Sequence, residues 1–269
     1  MKPNLNIIFE DKDFLVLDKP SGLTVNKSET SREETLQDQL SDYFKLANGD
    51  LGIGERAGIV HRLDRETSGV LVVAKNQKTF EFLQGEFKER RVKKEYIALV
   101  HGLVKDDSGE IASNIARIGK FGKFGNLKNR QEGGREAVTD YERISNFKFQ
   151  ISNFENIIVE KGYNRSRVRY LDQHGQDYTL LSVFPKTGRT HQIRVHLKSI
   201  GHPVVSDLIY TPSKLLKFDQ VWCPRLYLHA KKIYFSSPRS KKVLTFECDL
   251  PNDLKNAMLF LTTDERNQA

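Results

Sequence analysis

Cysteine is scarce in this chain, because its 269 residues include only Cys223 and Cys248. The two lie far apart and match no spacing of paired metal ligands. A chain of this length can bury a sizeable core without cross-links or metal support. We therefore expect two free buried thiols in a reducing compartment, with neither a structural disulfide nor a zinc site.

Long apolar runs are missing as well. No run of about 18 apolar residues occurs, and the N-terminus lacks an apolar segment that ends in small residues. The sequence therefore predicts a soluble, cytoplasmic protein. A phosphate-binding loop is also missing, because Gly52, Gly54 and Gly58 fit neither the Walker spacing nor the dinucleotide fingerprint. This argues against an enzyme that binds a nucleotide cofactor.

Positive charge is in excess. The chain has 43 Lys and Arg against 35 Asp and Glu, a formal net charge of +8 and a pI near 9.3. Such a balance indicates a polyanionic partner, which could be RNA, DNA or an acidic membrane surface. The length alone allows one or two domains.

One carboxylate, Asp64, lies between Arg62 and Arg65 just before the apolar run 70–74. The run is rich in valine and follows Gly69, which predicts a central strand that is buried on both faces. The flanking cations favour the ionised form of Asp64, so this residue is a candidate nucleophile for an anionic substrate. The alternative is a solvated surface ion pair, which would contribute little.

A second group of polar residues lies between residues 180 and 201. The sequence predicts a strand over 180–185, a turn at 186–189, and a helix over 190–201 that Thr190 caps and Gly201 ends. Arg194 falls at the edge of the apolar stripe of this helix, where it would be half-buried. His191 and His196 are five residues apart, about 140° around a helix, so a shared metal ion is not expected.

His61 and Tyr96, which lie outside this helix, have simpler interpretations. His61 could contribute to a metal site beside Asp64, but a packing or hydrogen-bonding role is the preferred interpretation. Tyr96 lies near the start of an internal strand over 94–102. The segment 147–169 carries no clear periodicity and is treated as part of an extended hairpin.

Two long motifs make the chain recognisable. Residues 61–69 read HRLDRETSG, and residues 187–197 read TGRTHQIRVHL and continue to a Gly-His-Pro-Val at 201–204. Both closely resemble the motifs of the RluA-type pseudouridine synthases, which isomerise uridine to pseudouridine in ribosomal and transfer RNA. The resemblance runs from Phe9 to about Pro251. It departs from the family where 147–177 is longer and where residues 206–210 replace a usual Gly-Asp before tyrosine.

The resemblance implies an α+β fold, with a mixed, mainly antiparallel sheet flanked by helices and a central catalytic cleft. Asp64 would act as the catalytic carboxylate, either as a nucleophile or as a base. Tyr96 would pack on the uracil, and Arg194 would pair with Asp64. Arg62 would fill the space that the flipped nucleotide vacates. Arg65, Arg189 and His191, which lie in the same motifs, are expected to bind RNA.

The domain organisation follows from the same resemblance. We expect a single catalytic domain over residues 1–269, with an extended hairpin insertion around 145–178 and no separate N-terminal RNA-binding domain. The protein is expected to be a monomer that needs no cofactor and no metal. A noncatalytic RNA-binding protein on the same fold is the alternative function.

Overall fold

The computed structural model describes residues 5–27, 33–45, 56–118, 123–127 and 134–263. Gly52 and Gly54, considered above as part of a phosphate loop, lie outside these ranges. The chain divides into two compact units. The first comprises Met1–Glu95 with His229–Asp249, and the second comprises Tyr96–Leu228 with Leu250–Ala269.

The described residues form both strands and helices. The strands are β1 (Ile7–Glu10), β2 (Phe14–Lys19), β3 (Ser68–Ala74), β4 (Lys93–His101), β5 (Ser108–Arg117), β6 (Phe124–Leu127), β7 (Arg135–Lys148), β8 (Asp177–Pro185), β9 (Leu228–Ser236) and β10 (Val243–Glu247). The helices are α1 (Leu36–Tyr43), α2 (Gln77–Lys88), α3 (Ile151–Glu160), α4 (Arg165–His174), α5 (Gln192–Ser199), α6 (Ser213–Trp222) and α7 (Asn252–Thr262).

The first unit is organised around β3. Its strand order is β1-β2-β3-β9, and β10 pairs antiparallel with residues 232–236 of β9. All seven residues of β3 are buried, which confirms the predicted central strand. Gly69 has φ +121, and a Cβ there would lie 2.3 Å from the carbonyl oxygen of Ala230 on the parallel neighbour β9. Only glycine allows the two backbones to approach this closely.

Helix α2 covers this part of the first unit. The Asn76 side chain caps it by accepting a hydrogen bond from the Thr79 N–H. Its apolar stripe packs into a core of β2, β3 and β9 side chains, which includes Phe14, Val70, Val72, Phe80, Leu83, Ile233 and Phe235. The stripe follows the helical period that residues 80, 83 and 87 show in the sequence.

The second unit contains the strand order β4-β8-β7-β5-β6, in which the β4–β8, β7–β8, β5–β7 and β5–β6 pairs are antiparallel. Helix α5 packs against β5, β6, β7 and β8. Its Val195 enters a small core with Ile115, Ala137 and Tyr210. The strands are therefore mainly antiparallel, as the sequence analysis predicted.

The expected hairpin around 145–178 is wrong. Strand β7 ends at Lys148, and the chain then forms α3 and α4 before β8 begins at Asp177. Phe154 and Ile157 are buried one turn apart on α3, and the Asn164 side chain caps α4 by accepting from the Arg167 N–H. The sequence Ile-Ser-Asn-Phe occurs in strand β7 at 144–147 and again at the start of α3 at 151–154. Tertiary packing, which differs at the two places, decides the local structure.

No helix among the described residues is long and apolar enough to cross a membrane.

Candidate active site

Asp64 lies in the loop that leads into β3, and it is half-buried. The loop is fixed on its N-terminal side by His61, whose Nε2 accepts a hydrogen bond from the Val72 N–H at 2.9 Å. The ring of His61 also stacks on Phe87, with the two centroids 4.7 Å apart. Burial, together with the charge of Lys94, lowers the pKa of His61 to about 3, so the ring is a neutral acceptor at neutral pH. This confirms the packing and hydrogen-bonding role preferred for His61.

A buried lysine holds the other side of the loop. The Nζ of Lys19, which is 1% exposed, donates to the carbonyl oxygens of Pro20, Leu23 and Arg65 at 2.7, 2.9 and 3.1 Å. The Ser21 hydroxyl donates to the Glu66 carbonyl at 2.7 Å. The turn after β2 is thereby fastened to the backbone that directly follows Asp64. A Lys-Pro-Ser-Gly segment reads as an ordinary turn, so the sequence alone does not reveal this positioning role.

The loop ends at Ser68, which is held by a histidine of β9. The Ser68 Oγ hydrogen bonds with His229 Nδ1 at 2.9 Å, and His229 Nε2 lies 3.3 Å from the Sγ of Cys248. Both cysteines are free and buried, as predicted. Burial raises the pKa of the Cys248 thiol to about 12, so this thiol stays protonated at neutral pH.

The two arginines that flank Asp64 differ in their surroundings. Arg62 is exposed. Arg65 is also exposed, but its Nε donates to the carbonyl oxygen of Gly22 at 3.1 Å, and its Nη2 pairs with Glu33 at 3.1 Å. Arg65 therefore contributes to holding the turn as well as to the positive surface.

In the second unit, the turn before α5 is organised by the side chain of Gln192. Its Oε1 accepts from the Thr187 hydroxyl at 2.6 Å and from the Arg189 N–H at 3.0 Å, and its Nε2 donates to the Val138 carbonyl at 3.0 Å. The predicted cap Thr190 is wrong, because α5 begins at Gln192 and His191 occupies the cap position with φ 55. The predicted C-terminal end is confirmed, since Gly201 follows the helix with φ +91.

Arg194 is more deeply buried than predicted. The sequence predicts it half-buried at the edge of an apolar stripe, whereas its exposed fraction is 2%. Its Nε and Nη2 donate to the two carboxylate oxygens of Asp207, each at 2.7 Å. Asp207 is fully buried and also accepts from the Ile209 and Tyr210 N–H groups at 2.9 and 3.1 Å. A buried cation needs such compensation, which periodicity on one helix does not reveal.

Two further predicted residues lie near this ion pair. His191 is half-buried, and its Nδ1 hydrogen bonds with the Tyr210 hydroxyl at 3.0 Å. The ring of Tyr210 lies 5.3 Å from the Arg194 guanidinium carbon. Arg189 donates from Nε to the Glu136 carbonyl at 3.0 Å. Tyr210 thus connects His191 with Arg194, a role that the sequence analysis did not anticipate.

His196, on the same helix, is a structural residue. Its Nε2 hydrogen bonds with Ser113 Oγ at 3.0 Å and its Nδ1 with Thr139 Oγ1 at 2.9 Å. Burial lowers the pKa of His196 to about 4 and keeps the ring neutral. In the ranges that the structure describes, no group of three or more His, Cys, Asp or Glu side chains could hold a metal ion.

Tyr96 is 8% exposed and lies on β4, where it is in register with Val183 of β8. An internal strand at this position was predicted from its apolar neighbours. The ring is held by the sheet, so its position is set by backbone pairing rather than by a flexible loop.

Comparison with known proteins places these residues in context. The family model for RNA pseudouridylate synthase matches residues 13–199 of this chain. An uncharacterized RNA pseudouridine synthase of Aquifex aeolicus is 38% identical over 263 residues, which cover 96% of this chain and 73% of that protein. Ribosomal large subunit pseudouridine synthase D of Buchnera aphidicola is 31% identical over 263 residues, with 95% and 73% covered.

The chain is also similar to a solved structure whose name contains RNA pseudouridylate synthase. Human RNA pseudouridylate synthase domain containing 1 shares 26% identity with a TM-score of 0.66, and the match covers 93% of this chain and 85% of that one. This likeness confirms the predicted α+β fold class.

Proposed function

This chain belongs to the RNA pseudouridylate synthase family, and from that premise we propose that Asp64 is the carboxylate that carries out its reaction. The enzyme is an isomerase that acts on uridine in RNA. The observation that supports the assignment is the set of hydrogen bonds that holds the loop around Asp64. The carboxylate is half-buried in a loop that His61, Lys19 and Ser68 fasten from different directions. A catalytic group needs such fixed placement, because small displacements lower the rate steeply.

The reaction itself limits what Asp64 can do. The bond between ribose and the ring nitrogen must break, the uracil must turn, and a bond must form from ribose to carbon 5. The carbon 5 proton then leaves and the ring nitrogen gains a proton, so product and substrate have the same atoms. Asp64 acts either as a nucleophile that holds the sugar or base, or as the base that removes a sugar proton. Both need an ionised, well-placed carboxylate.

Tyr96 and Arg194 are proposed to take part in the same reaction. The ring of Tyr96 would pack on the uracil, and its hydroxyl would help to move the carbon 5 proton. Arg194 would supply a fixed positive charge. Asp207 supports this role, since it holds two of the guanidinium nitrogens in a bidentate arrangement that lysine could not reproduce.

RNA binding is proposed to involve Arg62, Arg65, Arg189 and His191. The target uridine is stacked in RNA, so it must be flipped out before chemistry can occur. The exposed Arg62, two residues before Asp64, is proposed to fill the vacated space. The substrate is proposed to be ribosomal or transfer RNA. Ribosomal RNA of the large subunit is the first to test, because a relative carries that substrate in its name.

The proposal is tested by mapping pseudouridine at single-base resolution in RNA from cells that lack the protein and cells that express it. Expression should restore at least one pseudouridine, and the Asp64→Asn variant should restore none while it binds RNA as tightly as the unchanged protein. Asp42→Asn, which changes an exposed carboxylate on α1, is the matched control and should restore the modification. Full activity of Asp64→Asn would overturn the catalytic assignment. Absence of any modification with the unchanged protein would favour the noncatalytic alternative.

The remaining expectations stay predictions. Light scattering after size-exclusion chromatography would test the monomer, and fractionation of cells would test the cytoplasmic location. Limited proteolysis would test the single catalytic domain. Activity after exhaustive chelation would test the metal-free reaction.

A further inference from the structure

Helices α4 and α6 of the second unit share a positively charged surface. The region includes five cations on these helices and one at the end of α3, and we name it the α4–α6 basic surface: Lys161, Arg165, Arg167, Arg169, Lys214 and Lys217. Helix α4 lies in the segment 147–177, between the two motifs. Neither of the two motifs contributes to this surface.

The surface is firmly attached to the second unit. Asn153 of α3 donates from Nδ2 to the carbonyl oxygens of Phe260 and Thr263 at 2.8 and 2.9 Å. Phe149, just before α3, contacts an aromatic group with ring centroids 5.3 to 6.2 Å away, formed by Phe154, Tyr178, Phe218, Trp222 and Phe260. The segment is therefore a packed part of the unit.

Contacts between α4 and α6 hold the cations in place. Arg167 donates from Nη2 to the Lys214 carbonyl at 3.1 Å, and its guanidinium carbon lies 4.2 Å from the ring centroid of Tyr163. The Nζ of Lys214 lies 4.9 Å from the ring centroid of Tyr170. Arg and Lys side chains that rest on aromatic rings lose little freedom on binding an anion.

The outer face of α4 is polar and carries two arginines and one carboxylate, Asp172. Arg165 and Arg169 are exposed and four residues apart, so they lie on one face about 6 Å apart along the axis. Helix α4 carries no large apolar side chain that is exposed. A helix that binds a membrane surface needs such side chains to insert. The surface therefore fits a hydrated polyanion better than a lipid bilayer.

Most of these cations have no ion-pair partner in the part of the chain that the structure describes. Lys161 pairs with Glu160 at 2.7 Å. Among the described residues, no carboxylate lies within ion-pair distance of the other five cations of the surface. Cations four residues apart repel each other, and cations in the first turn oppose the helix dipole. Asp172 lies three residues after Arg169 and offsets part of this repulsion, and an external polyanion would compensate for the rest.

We propose that the α4–α6 basic surface docks the phosphate backbone of the RNA substrate outside the target nucleotide. This inference rests on the proposed function, because it takes the ligand to be RNA. Phosphate contacts position a nucleic acid without reading its sequence. The surface would raise the affinity for long structured RNA and leave the chemistry at the target uridine unchanged.

The test removes three exposed cations together, in Arg165→Gln/Arg169→Gln/Lys217→Gln. The control, Lys12→Gln/Lys78→Gln/Lys242→Gln, removes the same charge from exposed positions of the first unit. A labelled stem-loop RNA serves as the probe, and its dissociation constant is measured by fluorescence anisotropy over a range of salt concentrations. Circular dichroism checks that both triple variants are folded.

We expect the surface variant to bind at least about tenfold more weakly near 0.1 M salt, while the control binds like the unchanged protein. The slope of log binding constant against log salt concentration should be smaller in magnitude by about 2 to 3 for the surface variant. Equal losses in both variants, or no loss in either, would overturn the proposal. Surface-dependent binding to anionic phospholipid vesicles without a change in RNA binding would overturn it in favour of a membrane. Failure of the proposed function would show instead as missing pseudouridine with the unchanged protein, whatever the binding result.

Discussion

Arg194 and Asp207 form a buried bidentate ion pair, with both nitrogen–oxygen distances at 2.7 Å. Both residues are almost inaccessible to solvent. Asp207 is further fixed by two backbone N–H groups of the turn that follows it. The pair thus joins α5 to the turn at 207–210, and each charge compensates the other.

Asp207→Asn should destabilise the protein by about 3 to 5 kcal/mol, because it removes the charged carboxylate that accepts from two nitrogens of the buried Arg194 guanidinium. The amide oxygen can still accept from the Ile209 and Tyr210 N–H groups, so the change removes mainly the charge. The free energy of unfolding in urea measures the loss. Glu110→Gln, at the exposed pair with Lys186, is the control and should cost less than about 1 kcal/mol. Equal costs at the two sites would show that burial of the Arg194–Asp207 pair does not matter.

Lys19→Met should destabilise the protein by at least about 2 kcal/mol, because three partly buried carbonyl oxygens lose the donor that a buried side chain supplied. The turn at 20–23 would then hold the loop after Asp64 less firmly. We expect kcat to fall by about tenfold or more at unchanged RNA affinity, since the placement of Asp64 suffers. Lys12→Met, at an exposed position, should alter neither quantity. A stable Lys19→Met variant with full kcat would remove the positioning role.

Patterns along the sequence predicted the elements that are decided locally or by simple burial. The valine-rich run 70–74 could only be a covered strand, and all of β3 is buried. Asn76 stands before an apolar stripe with helical spacing, and its side chain caps α2. In each case the signal and the structure lie within the same few residues.

Three features could not be predicted in this way: the burial of Lys19, the pairing of Asp207 and the two helices within 151–174. Lys19 is buried because it donates to a carbonyl 46 residues away. Asp207 forms its ion pair with Arg194, which lies on another element. The sequence Ile-Ser-Asn-Phe forms a strand at 144–147 and a helix at 151–154, so its local preference does not decide between them. Contacts that are distant in sequence determine all three outcomes.

His196 should make stability depend on pH. Burial lowers its folded-state pKa from 6.5 to about 4, so below pH 6.5 the unfolded chain binds a proton that the folded protein does not. Stability therefore falls as the pH drops from 6.5 towards 4, by about 3 kcal/mol from this residue. In urea titrations across this range, His196→Gln should remove that part of the decline. Ser113→Ala, which removes a partner but keeps the imidazole, should preserve it. Identical pH profiles for the unchanged protein and His196→Gln would contradict the assignment.

Tyr96→Phe should fold normally, because the ring keeps its buried place on β4, yet turnover should slow if the hydroxyl moves the carbon 5 proton. Tyr141→Phe is the matched control, since Tyr141 is equally buried on β7. RNA labelled with deuterium at carbon 5 of the target uridine separates chemistry from packing. Removal of that proton would become more rate-limiting without the hydroxyl, so the isotope effect on product formation should be larger for Tyr96→Phe than for the unchanged protein or the control. A slowed variant with an unchanged isotope effect would assign Tyr96 to packing on the uracil, and the group that moves the carbon 5 proton would have to be another.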